Sequence, residues 1–229
     1  MDDLVDYVQA ELTAGADPVR ATQMAAYLKT DMPFYGVPMS GTRDISRQLK
    51  SRFVPGTAAE YRAMVETLWA LPHREEKYLA IAVARAHRAY VTFEQVDLYR
   101  RLIVEGAWWD FVDTIASRLI GDVLLNEREE MSPVLHRWVD DDDMWLRRTA
   151  IISQLAHKDR TDADALFDYC RRRAFEKEFF IRKAIGWALR QYARTDPKAV
   201  TAFLLEHRAE LSGLSFREAS KHLDLGGRT

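Results

Sequence analysis

The chain has 229 residues, of which 30% are charged and 48% hydrophobic, with a net charge of −2 and a single cysteine. This composition is typical of a globular protein with a substantial core, and one cysteine excludes an internal disulfide framework and fits a reducing cytosol. The acidic start MDDLVDYVQAEL is unlike a signal peptide, and no window is apolar for a membrane-spanning length. We therefore expect a cytoplasmic protein.

Helical periodicity runs through almost the whole chain, because apolar residues recur at three- and four-residue spacings without sustained alternation. Three breaks pair a capping residue with a proline and predict helix starts: Asp17-Pro18, Ser132-Pro133 and Asp196-Pro197. The aspartates at 140–143 predict a solvated helix start, with metal binding as the less favoured alternative. The predicted helices span 2–13, 18–30, 40–52, 57–70, 74–88, 93–105, 107–120, 121–127, 131–139, 143–156, 161–173, 178–194, 197–207 and 213–223.

Helices of this length joined by short turns predict an all-α fold. Antiparallel helix pairs stacked side by side would form an α-solenoid, and the absence of a clean sequence repeat means that its repeats would be degenerate. No long linker interrupts the chain, so we expect a single domain over residues 1–229.

Charge is unevenly distributed along the chain. Residues 1–146 contain 16 Lys and Arg against 24 Asp and Glu, whereas residues 147–198 contain 13 against 7. Helical surfaces differ in charge by chance, but a local basic field can also guide a polyanion whatever the net charge. The asymmetry gives weak support to a nucleic-acid partner.

The segment GAWWDFVDTIA places a tryptophan beside a carboxylate. Trp109 and Asp113 stand four residues apart, so they share one face of a helix. Trp108 is instead predicted to hold the helix in the core, together with the apolar residues of its own stripe: Val112, Ile115 and Leu119. The pairing of Trp109 with Asp113 predicts a functional face.

Two later helices carry unusual basic residues. In FFIRKAIGWALRQYAR, Trp187 lies in a stripe with the basic residues at offsets −4, +3 and +7, which are Lys183, Arg190 and Arg194. This tryptophan is either packed among aliphatic stems or part of a stacking surface in a phosphate-binding groove. In DDMWLRRTAIISQL, Arg147 and Arg148 are predicted to face solvent or a cleft.

Aromatic faces, arginines and a carboxylate together suit the release of a base alkylated on a ring nitrogen. Such a base is cationic, and breaking its N-glycosidic bond builds positive charge on the deoxyribose. Aromatic faces attract cations, a carboxylate stabilises the developing sugar cation, and basic side chains hold phosphates. The sequence has no phosphate loop, nucleophile elbow or zinc-ligand spacing, so we expect no cofactor and no metal.

The motifs WWDFVD (108–113), WLRRTAI (145–151) and FFIRKAIGWALRQYA (179–193) resemble the AlkD family of bacterial DNA alkylation repair proteins. These are DNA glycosylases built from HEAT-like helical repeats. MAAYLKTDMPFYGVP (24–38) and LSFREASKHL (214–223) also fit, so the resemblance extends essentially end to end. It implies a concave basic groove that binds duplex DNA. It also implies excision of N3-methyladenine and N7-methylguanine by a monomer that, unlike most glycosylases, does not flip the base.

The resemblance also implies roles for individual residues. Asp113 would be the catalytic carboxylate near the deoxyribose, with Trp109 and Trp187 packed against the backbone and sugar of the lesioned nucleotide. Arg148 would grip a phosphate close to the lesion, and Tyr27 would complete the cleft. Further DNA contacts are expected from Arg43, Arg47, Lys183, Arg190, Arg194, Phe179 and Phe180. For the two phenylalanines, burial in the core is the alternative.

Two other functions compete with this one. A HEAT-like scaffold could bind DNA, RNA or a protein without chemistry, but it assigns no role to Asp113, since a carboxylate repels phosphates. A helix-hairpin-helix glycosylase would need a glycine-rich hairpin before its catalytic aspartate, and the chain has only VPGT at 54–57. We therefore expect a glycosylase, with the scaffold as the alternative.

Overall fold

A computed structural model describes residues 1–224, and over these residues the protein is helical with no β-strand. The all-α prediction is confirmed, and each predicted helix has a counterpart whose ends differ by a few residues. The helices are α1 Asp2–Ala14, α2 Pro18–Leu28, α3 Met39–Arg52, α4 Ala58–Ala70, α5 Arg74–Ala86, α6 Val96–Gly106, α7 Trp109–Ile115, α8 Gly121–Asn126, α9 Arg128–Trp138, α10 Met144–Ile152, α11 Ala163–Arg172, α12 Phe179–Tyr192, α13 Pro197–Glu206 and α14 Gly213–Ala219. No helix in the described range is both long and apolar enough to cross a membrane.

The helices belong to two compact units, which divide between Val91 and Thr92. The first unit contains α1–α5 and the second contains α6–α14. The single domain over residues 1–229 stays a prediction, and its end at 225–229 lies outside the described residues.

A buried carboxylate organises the loop after α2 in the first unit. Glu75 has no exposed surface and accepts hydrogen bonds from three successive backbone N–H groups, those of Tyr35, Gly36 and Val37, at 2.8–3.2 Å. Gly36 has φ +85°, and a Cβ there would lie 2.1 Å from the carbonyl oxygen of Asp17. The loop FYGVP is thus shaped by a positive φ that only glycine adopts without strain.

The core of the second unit is built around α10. Leu146, Ala150, Ile151 and Ile152 are at most 1% exposed. Helix α10 packs against α6, α9 and α12, so side chains on several helices converge on it. Burying each large aliphatic side chain contributes about 1.5–3 kcal/mol to stability. These residues therefore hold α10 firmly against its neighbouring helices.

Two of the three predicted proline-containing helix starts are confirmed. Asp17 and Asp196 cap α2 and α13 as predicted, and Asp143 caps α10 by accepting the N–H groups of its first turn. The predicted start at Ser132-Pro133 is wrong, because Pro133 lies inside α9. That helix begins earlier, where Glu129 and Glu130 suit the positive end of the helix dipole, and it tolerates one missing N–H donor at the exposed Pro133.

Buried His157 makes the stability of the fold depend on pH. Its Nε2 donates to the carbonyl oxygen of Gly121 at 2.9 Å, and the side chain is 2% exposed. Burial lowers the pKa of His157 from 6.5 to about 4. The unfolded chain therefore binds a proton more readily than the folded one. The stabilisation is complete above about pH 6.5 and is lost as the pH falls toward 4.

We expect wild-type protein to lose about 2 kcal/mol of unfolding free energy between neutral pH and pH 5 through this residue alone. Urea unfolding of wild type and His157→Gln at the two pH values measures it. Glutamine keeps a donor at the position of Nε2 but does not titrate. The variant should show a correspondingly smaller loss, whereas an identical loss in both proteins would contradict the assignment.

Candidate functional site

A buried ion pair joins α7 to α10 in the second unit. Arg148 donates from Nε and Nη2 to the two carboxylate oxygens of Asp113, at 2.7 and 2.8 Å. Its Nη1 donates to the carbonyl oxygen of Phe180 at 2.5 Å, where α12 begins. The two side chains are only 5% and 16% exposed. A planar guanidinium that binds both oxygens fixes the plane and direction of the carboxylate.

Opposing effects act on the Asp113 carboxyl. Burial raises its pKa above the ordinary value of 3.8, and this effect is larger than the lowering by the hydrogen bonds and charge of Arg148. The half-buried Asp110, one turn earlier on α7, raises the pKa further. A desolvated carboxylate beside one cation interacts strongly with any second positive charge that approaches it. The arrangement is therefore suited to stabilise a cation.

Aromatic side chains surround the start of α12. The ring of Phe180 lies 5.4 Å from Trp108 and 5.0 Å from Trp145, and the Arg148 guanidinium lies 5.8 Å from its centroid. Phe179 packs edge-on against Phe180 at 5.4 Å, yet remains 52% exposed. We call these four rings, Trp108, Trp145, Phe179 and Phe180, the aromatic cluster. The aromatic cluster lies next to the ion pair, and Phe179 is its solvent-exposed member.

The predicted burial of Trp108 in the core is not confirmed, because this residue, the N-cap of α7, is only half-buried. Val112, Ile115 and Leu119 are fully buried. Trp108 packs within the aromatic cluster beside the ion pair, and its indole N–H is buried without a hydrogen-bond partner in the described structure. Trp109 is half-buried, one helical turn from Asp113. The shared face of Trp109 and Asp113 follows from the helix that the structure shows there.

The predicted orientation of Arg148 toward solvent or a cleft is wrong. The residue is 4% exposed, because Asp113 and the Phe180 carbonyl take its donors. Its neighbour Arg147 is also largely buried and binds Glu176 at 2.9 Å. Both arginines face partners about 30 residues away along the chain, which helical periodicity does not reveal. A phosphate contact of Arg148 stays a prediction.

The basic stripe of α12 has an acidic partner that the sequence pattern does not reveal. Glu218 of α14 accepts from Lys183 at 3.0 Å and from Arg190 at 2.5 Å. Trp187 lies between these two cations along the helix and is half-buried, while Arg194 is exposed. The hydrogen bond from Lys183 holds the pKa of Glu218 below its ordinary value. Two of the three predicted phosphate ligands are thus already bound to a carboxylate.

Close contact between α12 and α14 explains the glycine of AIGW. A Cβ on Gly186 would lie 2.5 Å from the Cβ of Glu218 and 2.9 Å from the carbonyl oxygen of Ser215. Only glycine allows the helices to approach this closely, and the approach brings Glu218 to the basic stripe. No sequence pattern identifies Glu218 as the partner of the basic stripe, because the pairing appears only in the folded structure.

The remaining candidates lie in the first unit. Tyr27 on α2 is 75% exposed, and Arg43 on α3 is also exposed. Arg47 is exposed and forms an ion pair with Asp44. All three side chains lie at the surface of the first unit, and their DNA contacts stay predictions. Across the described residues, no group of His, Cys, Asp and Glu side chains is arranged to hold a metal ion.

Comparisons with known proteins agree with the resemblance. A family model described as DNA alkylation repair enzyme matches residues 8–223. A solved structure titled as a predicted DNA alkylation repair enzyme from Enterococcus faecalis is 30% identical, with a TM-score of 0.84 over 92% of this chain and 98% of that one. AlkD2 from Streptococcus mutans has the same fold at 14% identity, with a TM-score of 0.66 over 89% and 99% of the two chains. A search of curated proteins finds no significant match.

Proposed function

The chain belongs to the DNA alkylation repair enzyme family, and from this premise we propose that it is a DNA glycosylase. It hydrolyses the N-glycosidic bond of the cationic purines N3-methyladenine and N7-methylguanine in duplex DNA without flipping the base. The observation that carries the proposal is the Asp113 carboxylate, which is largely buried, oriented by Arg148 and bordered by the aromatic cluster.

The proposed reaction uses the charge that the lesion already bears. Alkylation of the ring nitrogen makes the purine a neutral leaving group, so the bond to C1′ breaks heterolytically and leaves an oxocarbenium ion on the deoxyribose. Asp113 stabilises this cation and orients the water that adds to C1′ and loses one proton to solvent, which yields the free base and an abasic site. Trp109 and Trp187 pack against the sugar and backbone. No cofactor or metal takes part.

Arg148 acts through Asp113 in this proposal. Its two parallel hydrogen bonds leave one lone-pair side of each carboxylate oxygen available to substrate, and its positive charge opposes protonation of the buried acid. The interaction requires no reorganisation during the reaction, because the Phe180 carbonyl and the aromatic cluster already hold the guanidinium. Arg148 is therefore a positioning residue.

DNA binding in this proposal draws on exposed aromatic and basic side chains. Phe179 offers a solvent-facing ring in the aromatic cluster, and every nucleotide has a face on which such a ring can stack. Lys183 and Arg190 on the same helix, and Arg194 just after it, would hold phosphates, with Tyr27, Arg43 and Arg47 as further contacts. The protein would act as a monomer on chromosomal DNA in the bacterial cytoplasm.

Release of a base from a defined lesion tests the proposal. A duplex with one N7-methylguanine and the same duplex without it are incubated with excess protein, and alkali-labile abasic sites are counted. We expect abasic sites at the lesion and none in the undamaged duplex. If the protein bound both duplexes and N3-methyladenine DNA without base release, it would be a nucleic-acid-binding scaffold instead.

Glu218→Gln should increase DNA affinity. The substitution frees Lys183 and Arg190 from a carboxylate and preserves its size. We expect several-fold tighter binding of undamaged duplex and a salt dependence steeper by about one unit for each additional phosphate that these cations neutralise. Fluorescence anisotropy over a salt series measures both quantities. Glu94→Gln, the same charge change at an exposed residue, is the control. Equal effects of both variants, or weaker binding by Glu218→Gln, would contradict this role of Glu218.

A further inference from the structure

The helix that carries Asp113 changes its geometry three residues after this aspartate. Residues Ala116–Ile120 form one π-helical turn, closed by the Gly121 N–H, which donates to the Ala116 carbonyl five residues earlier. Such turns are rare inside helices and occur frequently at functional sites. The π turn connects α7 and α8 without a break, so it sets how the side chains of α7 are rotated relative to those of α8.

A serine in the π turn holds the backbone of Asp113. The Ser117 hydroxyl donates to the Asp113 carbonyl oxygen at 2.7 Å, and the same oxygen accepts the N–H of Ala116. In the π turn the backbone hydrogen bonds span five residues instead of the four of an α-helix. The Ser117 hydroxyl adds a hydrogen bond where this change occurs. Ser117 thus fixes the main chain from which the carboxylate extends.

The far end of the π turn is fixed to α10. A Cβ on Gly121 would lie 2.5 Å from the carbonyl oxygen of Ser153, the C-cap residue of α10. The buried His157 donates from Nε2 to the Gly121 carbonyl at 2.9 Å. Burial keeps this imidazole neutral, since its pKa is about 4. Gly121 therefore rests against α10 five residues beyond Arg148, which binds Asp113.

Helix geometry explains why an additional residue is needed here. Asp113 and Gly121 are eight residues apart, which is about 2.2 turns of a regular α-helix and would point them about 80° apart. A π turn absorbs one residue more than an α turn, so the same eight residues complete about two whole turns. Asp113 and Gly121 then lie on the same side, and both reach α10.

We propose that the π turn Ala116–Ile120 directs the Asp113 carboxylate onto Arg148, and that Ser117, Gly121 and His157 are positioning residues for catalysis. The inference rests on the proposed glycosylase activity. None of the three residues is assigned a contact with DNA. Their substitution should therefore change the rate of base release and the environment of Asp113, and it should leave DNA affinity unchanged.

The test compares variants of the full chain. His157→Leu removes the bond to Gly121, His157→Gln restores a donor there, and Ser117→Ala removes the bond to Asp113. Ser132→Ala, at a half-buried helical serine in α9, is the control. Each protein is assayed for single-turnover release of N7-methylguanine, for duplex affinity and for the titration midpoint of the Asp113 carboxyl by NMR. His157→Leu is also combined with Asp113→Asn.

We expect His157→Leu and Ser117→Ala to slow base release about tenfold to a hundredfold with unchanged affinity. The Asp113 midpoint should rise further above the ordinary value of an aspartate, because a weaker contact with Arg148 offsets less of the effect of burial, and His157→Gln should restore both rate and midpoint. In the Asp113→Asn background, His157→Leu should have no further effect. If His157→Leu does not fold, Ser117→Ala decides by the same readouts.

Two results would overturn the inference. One is an unmoved Asp113 midpoint in folded His157→Leu and Ser117→Ala. The other is a loss of rate that persists in the Asp113→Asn background. If wild type released no base, the proposed function would fail, while the NMR titration would still decide whether the π turn positions Asp113.

Discussion

Asp113→Asn is expected to slow base release by about a hundredfold to a thousandfold, the loss typical for removal of one preorganised electrostatic group. Asparagine has nearly the shape of aspartate but carries no charge to stabilise the oxocarbenium ion. It can accept only one of the two hydrogen bonds from Arg148, so we also expect about 1–3 kcal/mol of lost stability. Single-turnover base release, duplex affinity and urea unfolding separate these effects.

The matched control is Asp110→Asn, on the same helix and with the same change of charge. It should retain base release within about a factor of three, because the carboxylate that Arg148 orients is that of Asp113. Duplex affinity should be nearly unchanged in both variants. A fully active Asp113→Asn protein would contradict the proposed mechanism, whatever its stability.

Arg148→Met should have the second largest effect, on both stability and activity. It leaves Asp113 buried without its partner and the Phe180 carbonyl without a donor. Breaking a buried ion pair from one side costs about 3–5 kcal/mol. The pKa of Asp113, already raised by burial, should rise further, so less of the carboxylate is ionised at neutral pH. Urea unfolding and base release measure the two effects.

Two comparisons make the Arg148 result specific. Arg147→Met also breaks a largely buried ion pair, that with Glu176, and should lower stability but not base release. The double variant Arg148→Met with Asp113→Asn should be more stable than Arg148→Met alone, because no unpaired carboxyl remains. Equal loss of base release in the Arg147 and Arg148 variants would show that Arg148 has no special relation to Asp113.

The helices were predictable from sequence because their signals are local. Apolar spacing and capping aspartates such as Asp17 and Asp196 act within one or two turns. The π turn was not predictable, since it depends on contacts between Gly121 and the end of α10. The early start of α9 was not predicted. Its acidic first turn favours a helix start before Pro133 more strongly than the proline favours a start at its own position.

The candidate site shows the same division between local and distant information. The shared face of Trp109 and Asp113 follows from a spacing of four, so sequence revealed it. The burial of Arg148 depends on a partner 35 residues away, and the neutralised basic stripe depends on Glu218, which is 28 residues from Arg190. Such pairs form only when the helices pack together, so the spacing of residues along the chain does not predict them.

Direct quantification of the free base tests the central claim. A duplex with one N7-methylguanine is incubated with a saturating concentration of wild type, with the same concentration of Asp113→Asn, or without protein. Released N7-methylguanine is measured by chromatography over time. The account predicts rapid release by wild type and release near the spontaneous rate in the other two reactions. Two results would contradict the account. One is that saturating wild type releases the base only at the spontaneous rate, and the other is that wild type and Asp113→Asn release it equally fast.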